Sequence, residues 1–302
     1  MLEFNLPGAI SIQGLTKRFG TLAAVSHLDL EVQEGEVLGF LGLNGAGKTT
    51  TIRILLDLLR PTSGTARILG QDCQKDSLAT RSLIGYLPSE MGLYGNMTGR
   101  EVLDLLGKLS RTSSPLRNQL LDRLELSQAD LRRNVREYST GMKRKLGIVQ
   151  AMQHDPPVLI LDEPTEGLDP LVKESFYELL GDAHRRTRTI FFSSHVLSEV
   201  DRICDRIALL RKGELVLLAT TDECRGLAAR SVRVSLKHPA PPPSFPAGIQ
   251  LRHATPLEWD LSIEGPLRPL LDLLSTYDVA DLAVSEAKLE DVLRRYYAGD
   301  SQ

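Results

Sequence analysis

The chain has 302 residues, 42% hydrophobic and 25% charged, which is ample for a core and excludes disordered or collagen-like classes. Lys and Arg number 36 against 39 Asp and Glu, a formal charge of −3 that argues against a dedicated nucleic-acid binder. Cys73, Cys204 and Cys224 share no zinc or disulfide spacing, and no run approaches the roughly 18 apolar residues of a membrane-spanning helix, so the expectation is a reduced, cytosolic chain.

Taken from the start, the opening Met-Leu-Glu-Phe-Asn-Leu-Pro lacks the basic region and apolar core of a secretion signal. Residues 9–15 read as a strand, and 37–41 as another that feeds a glycine-rich turn and a helix over 50–59, stopped by Pro61. From about 97 to 153 the pattern turns helical. Thr98 and Glu101 form a capping box ahead of Val102, Leu105, Leu106 and Leu109, while Ser114-Pro115 reads as a cap and first helical position leading Leu116, Leu120 and Leu124. Strands over 158–161, 189–192 and 207–210 follow, and like the earlier ones they are mostly unalternating, as in a sheet buried on both faces.

Near residue 220 the character changes. The last 82 residues carry the net −3, and five prolines between 239 and 246 place a loop there. Around that loop the pattern predicts a strand with Val232, Val234 and Leu236 on one face, a strand over 257–263, a helix over about 267–276, a strand over 279–284 and a short last helix over 288–297. The expected organisation is an α/β domain over 1–220 with a helical insert at about 97–153, then a small α+β domain over 221–302.

Gly42, Leu43, Asn44, Gly45, Ala46, Gly47, Lys48 and Thr49 match the G-x-x-x-x-G-K-[ST] phosphate loop, set between a strand and a helix as that loop requires. Glycines let main-chain N–H groups face phosphate oxygens, and the N-terminus of the following helix, with Thr50 in its first turn, adds partial positive charge. Lys48 is placed to reach the β- and γ-phosphates and the Thr49 hydroxyl to hold Mg²⁺. Four apolar strand residues then run into Asp162 and Glu163: the first suits the Mg²⁺ shell, the second the activation of a water for attack on the γ-phosphate.

Between these lies Tyr138-Ser139-Thr140-Gly141-Met142, and after them Pro164-Thr165, Gly167-Leu168-Asp169-Pro170 and a lone His195 behind an apolar strand. In that order, over about residues 8–220, the set closely resembles the ATPase subunit of an ABC transporter. The resemblance implies a P-loop NTPase of ABC type that hydrolyses ATP with Mg²⁺. It implies that Phe19 stacks on adenine, with Val25 in the nucleotide-binding set, and that His195 senses the γ-phosphate. Ser139 and Gly141 would contact the γ-phosphate held by the other subunit of a homodimer formed on ATP binding, and Asp169 would communicate across that dimer. A separate transmembrane permease would be the partner, placing the chain at the cytoplasmic face of the cell membrane. The Tyr-Ser-x-Gly-Met signature and the ending Leu289-Glu-Asp-Val-Leu-Arg-Arg-Tyr-Tyr297 resemble the export branch, which moves drugs, lipids, polysaccharides or peptides.

Two motifs depart from the family's pattern. Ser89 stands where a glutamine is usual, a shorter oxygen donor toward Mg²⁺, and Tyr138, Thr140 and Met142 replace three signature residues. Basic groups at Arg132, Arg133 and Arg136, at 143–145, and at Arg185, Arg186 and Arg188 read as solvated helix faces, the sharper alternative for the first two being contact with anionic headgroups or a membrane partner. The competing functions are a non-transport ATPase acting on nucleic acid or ribosomes and a regulatory ATP-binding module. No metal spacing links the other histidines, and no nucleic-acid partner is expected.

Overall fold

The computed structural model describes residues 8–109, 113–227 and 230–285, so the last predicted helix, over 288–297, lies outside the described residues. The chain divides into two compact units at Leu218/Ala219.

The first unit is built on a sheet of strand order β10-β9-β3-β8-β7-β6, comprising β3 (Val37–Leu41), β6 (Ile84–Leu87), β7 (Val158–Asp162), β8 (Thr189–Ser194), β9 (Arg206–Arg211) and β10 (Glu214–Thr220). Every residue of β3, β7 and β8 is buried, which is why their sequences do not alternate. Strands β9, β3, β8, β7 and β6 pair in parallel, and the register aligns their C-terminal ends: Leu41 opposes Ser194, Asp162 opposes Ser193, and Leu87 opposes Leu161. Parallel strands in register deliver the chain that leaves each of them to one edge of the sheet, the edge where α/β folds place their ligands.

The first expected strand belongs elsewhere. β1 (Ile10–Phe19) pairs antiparallel with β2 (Leu22–Val32) and with β4 (Ser63–Ile68), and β5 (Gln71–Asp72) closes this second sheet. It is buried on one face only, so the two-sided burial expected of residues 9–15 does not hold. Register shifts along β1 explain why its sequence did not alternate cleanly. The inward residues Ile10, Ile12, Leu28 and Leu30 share a core with Phe40 and Phe191 of the central sheet and with Ile52 and Leu55 of α1 (Lys48–Leu55). Each such side chain contributes about 1.5–3 kcal/mol of burial. Helix α1 stops short of the expected residue 59 because Asp57 adopts the left-handed conformation, φ 53°.

Between β5 and β6 lies α2 (Ser77–Ser82). The helical insert holds α3 (Gly99–Leu109), α4 (Arg117–Arg123), α5 (Gln128–Leu131), a 3₁₀ turn over Val135–Glu137 and α6 (Thr140–Met152). The Thr98 capping box forms as expected: Thr98 N donates to Glu101 Oε2 at 2.7 Å, and Glu101 N to Thr98 Oγ1 at 3.3 Å. A second box at Ser127 and Asp130 caps α5. Ser114 and Pro115 are not the cap of α4. They begin a turn in which Arg117 N bonds Ser114 O, and the helix starts at Arg117. Then α7 (Pro170–Arg185) follows β7 and α8 (Leu197–Ile203) follows β8, as crossovers of a parallel sheet.

The second unit, whose first whole element is α9 (Thr221–Leu227), contains a sheet of order β12-β13-β11-β14. Its strands are β11 (Arg230–Leu236), β12 (Ile249–Ala254), β13 (Glu258–Ile263) and β14 (Val279–Val284), with antiparallel pairing throughout. Val232, Val234 and Leu236 face a core closed by Leu270 and Leu274 of α10 (Arg268–Leu274) and by the fully buried Trp259. The Trp259 ring meets Tyr277 and Phe245 edge-on at 5.0 and 6.1 Å. The proline run forms the connection between β11 and β12.

Candidate functional site

A cleft of about 1130 Å³ opens over the aligned strand ends. One wall is the loop from β3 into α1. Its backbone admits glycine alone at position 47, where φ is +110° and a Cβ would stand 2.5 Å from Ala24 O. Gly42 lies beneath, where a Cβ would meet Leu210 O at 2.7 Å. Leu43, Asn44, Gly45, Ala46, Gly47, Lys48, Thr49 and Thr50 line the cleft. α1 has no side-chain cap, so its first-turn N–H groups are left to meet an anion.

The ionic groups converge at one point. Lys48 is 7% exposed, and its Nζ donates to Gly42 O at 2.5 Å while standing 3.5 Å from Glu163 Oε1. Glu163 Oε2 lies 2.8 Å from His195 Nδ1, so one carboxylate bridges the P-loop lysine and the histidine after β8. The Thr49 hydroxyl donates to Asp162 Oδ2 at 3.1 Å. Asp162 is fully buried and its Oδ1 has no hydrogen-bond partner. A buried carboxylate with one free oxygen beside a threonine hydroxyl is hard, oxygen-only ligand chemistry, which fits a divalent cation such as Mg²⁺.

Glu163 is a non-glycine residue in the left-handed region, φ 47°, a conformation that costs on the order of 1–3 kcal/mol and needs outside support. Its N–H donates to Ser193 O at 3.0 Å. Behind it, the 5%-exposed Glu199 accepts from Thr165 Oγ1 at 2.8 Å, Ser194 Oγ at 3.2 Å and Lys173 Nζ at 3.2 Å. That network joins the turn after Glu163 to the strand end that presents His195. Burial, and after it the Asp162 carboxylate, pushes the Tyr86 phenol up to about 12, so it stays neutral. Burial pushes the Arg144 guanidinium down, opposed by Glu166, Asp162 and Glu163.

Phe19, half exposed, lines the cleft together with Leu22 and Ala24, and the Lys17 ammonium lies 5.1 Å from its ring centre. Val25 does not face the cleft: it is fully buried in the core beneath, because alternation along β2 turns it away from Ala24. Ser89 lines the cleft with Glu90 and Met91. Ser139 and Gly141 are not among the residues lining it. Exposed Ser139 caps α6 by accepting from Met142 N at 3.2 Å, and Tyr138 is a buried anchor whose hydroxyl donates to Asp130 O at 2.8 Å. Asp169 caps α7, accepting from Val172 N at 3.0 Å.

Residues 143–145 are not a uniformly solvated face, since Arg144 is 2% exposed. Its place was readable from helical spacing, because Arg144, Ile148 and Ala151 share the buried side of α6. Arg186 and Arg188 pair with Asp155, and Arg133 stands near Asp130 and Glu137. Glu199 carries a weaker signal, an acid beside apolar Val200 at the start of a short helix.

Residues 25–166 match the family model described as ABC transporter. The chain is 41% identical over 210 residues to the bacitracin transport ATP-binding protein BcrA of Bacillus licheniformis, covering 68% of each chain. It is 37% identical over 221 residues to the daunorubicin resistance ATP-binding protein DrrA3 of Streptomyces coeruleorubidus, covering 72% of this chain and 70% of that one. A solved ATP-binding subunit of an ABC transporter matches with a TM-score of 0.68 at 29% identity, over 72% of this chain and 92% of that one.

Proposed function

This chain belongs to the ABC transporter family as an ATP-binding subunit and is an ATPase, and from that premise we propose that it works as one half of a homodimeric motor for export. The observation that carries the catalytic assignment is the convergence of Lys48, Glu163 and His195 on one point, beside the Thr49–Asp162 pair. Lys48 meets the β- and γ-phosphates. A phosphate competes with Glu163 for this ammonium and so releases the carboxylate to take a proton from the attacking water. His195 holds Glu163 from the other side and reaches the γ-phosphate. Thr49 and Asp162 would hold Mg²⁺, with Ser89 as a further oxygen from the cleft wall; when bound, the ion offsets charge on the phosphate oxygens.

In this reading Phe19 stacks on the adenine. Ser139 and Gly141, at the start of α6 and outside the chain's own cleft, close the site of a second copy, so that each nucleotide lies between two subunits. Relatives named for bacitracin transport and daunorubicin resistance support export as the task. In this reading the path for cargo belongs to a separate membrane protein at whose cytoplasmic face this chain sits, as the transport name of the bacitracin relative supports. No helix among the described residues is long and apolar enough to cross a membrane. Tagged chain recovered from detergent-solubilised native membranes should retain a polytopic protein in one-to-one ratio; recovery from the soluble fraction alone would overturn the assignment.

We assign ATP binding to residues 1–220 and an accessory role to 221–302. A chain ending at Thr220 keeps β10 whole and should bind ATP within about twofold of the full chain, a shift below 0.5 kcal/mol. The reciprocal fragment contains the protein's one tryptophan, Trp259, whose fluorescence should report its own cooperative unfolding. Collapse of the 1–220 fragment would place the tail in the ATPase core.

A further inference from the structure

We propose that Arg144 is a positioning residue for hydrolysis, a buried cation that ties the loop leaving β6 to the main chain at Glu163 and holds that carboxylate in its working place. The proposal rests on Glu163 being the group that activates water. Arg144 sits on α6, yet its guanidinium hydrogen bonds leave the helix for carbonyls of two other segments. Nε donates to Pro164 O at 2.9 Å, Nη1 to Pro88 O at 2.6 Å and Ser89 O at 3.1 Å, and Nη2 to Glu163 O. Two acceptors lie on the loop after β6, and two on Glu163 and its neighbour.

Packing alone would not place a cation here. Ile148 and Ala151, farther along the same face of α6, are apolar and buried. A charged group taken from water is tolerated only where its donors are satisfied, and here that service comes from main-chain oxygens at the reaction centre. The guanidinium suits it. Its planar fork spans separate acceptors, whereas an ammonium concentrates its donors on one atom.

The backbone of Glu163 shows what the tie does. Its left-handed φ of 47° is a conformation that ordinary side chains leave unless held. The N-terminal side is held by the bond from Glu163 N to Ser193 O, while the C-terminal side is held by Arg144 through the carbonyls of Glu163 and Pro164. Releasing that side lets the peptide relax and carries the carboxylate off the line between Lys48 and His195. Because the same guanidinium grips Pro88 and Ser89, any shift of α6 against the central sheet reaches Glu163 together with the loop that lines the cleft.

The test uses the full chain with Arg144→Lys, Arg144→Met and Glu163→Gln, each measured for melting temperature, nucleotide affinity and steady-state turnover. Both Arg144 variants should lose about tenfold or more in kcat, as expected when a reacting group is misplaced by a fraction of an ångström. Their KM for ATP should stay within about threefold of wild type, since the P-loop is untouched. Lysine should not rescue turnover even where it restores the melting temperature. A purely structural role predicts the reverse, turnover recovering in step with stability. Wild-type turnover in a stably folded Arg144→Met or Arg144→Lys protein, with Glu163→Gln inactive, would overturn the proposal and leave the role of Glu163 standing. Undiminished turnover in Glu163→Gln would remove that role and the proposal together.

Discussion

Glu163→Gln should cut ATP turnover by about a thousandfold while leaving nucleotide binding intact, and the variant should run as a dimer in saturating ATP and Mg²⁺. The magnitude is that of a positioned general base, whose removal costs roughly 10²–10⁴ in rate. The substitution is nearly isosteric, so the amide oxygen can still meet His195 Nδ1, now 2.8 Å from the carboxylate. Lys48 loses a partner at 3.5 Å but keeps Gly42 O at 2.5 Å, and its charge becomes wholly available to phosphate. Removing a negative charge beside a triphosphate also removes repulsion, so affinity should be unchanged or tighter. If ATP holds two subunits together and hydrolysis lets them part, blocking the chemistry accumulates the closed pair. Size-exclusion chromatography with scattering, run beside a turnover assay, reads both outcomes. More than about a tenth of wild-type rate would remove Glu163 from the base role; a monomer at saturating nucleotide would sink the shared-site model.

The parts of the site readable from sequence are the local ones. A phosphate loop is a run of eight residues whose backbone shape dictates its own glycines, and Asp162-Glu163 announces itself because a fully buried strand ends there. The resemblance puts Val25 in the nucleotide-binding set, whereas its inward register on β2 follows from non-local pairs such as Leu15 with Leu28, which no short window contains. Arg144 misled for a different reason. Charge outweighed helical spacing in reading residues 143–145, and the carbonyls that receive it belong to residues 88–89 and 163–164, far apart in the chain. The same holds for Glu199, whose partners Thr165, Lys173 and Ser194 come from a turn, a helix and a strand. Local motifs thus show which groups do the chemistry, whereas the groups that hold them are fixed only by packing.

Lys48→Ala should weaken ATP binding by about a hundredfold or more, the second large effect and the one that tests the phosphate assignment directly. Two losses add. The ammonium makes charge-assisted hydrogen bonds to phosphate oxygens, each worth about 1.5–3 kcal/mol, and tenfold in affinity is about 1.4 kcal/mol. Alanine also leaves Glu163 without the cation 3.5 Å away, so an incoming triphosphate meets an uncompensated carboxylate. The fold should survive, because α1 is anchored by Ile52, Ile54 and Leu55 in the core rather than by Lys48, and Gly42 O loses only one donor. Calorimetric titration of ATP at fixed ionic strength measures the change, with the melting temperature as the check on folding. Unchanged affinity would refute the phosphate role outright. Lost turnover at unchanged affinity would instead confine Lys48 to the transition state. Lost affinity in Lys48→Ala with retained affinity in Glu163→Gln is the pattern that separates the two residues: the lysine holds the phosphate, and the carboxylate it faces acts on the water that attacks it.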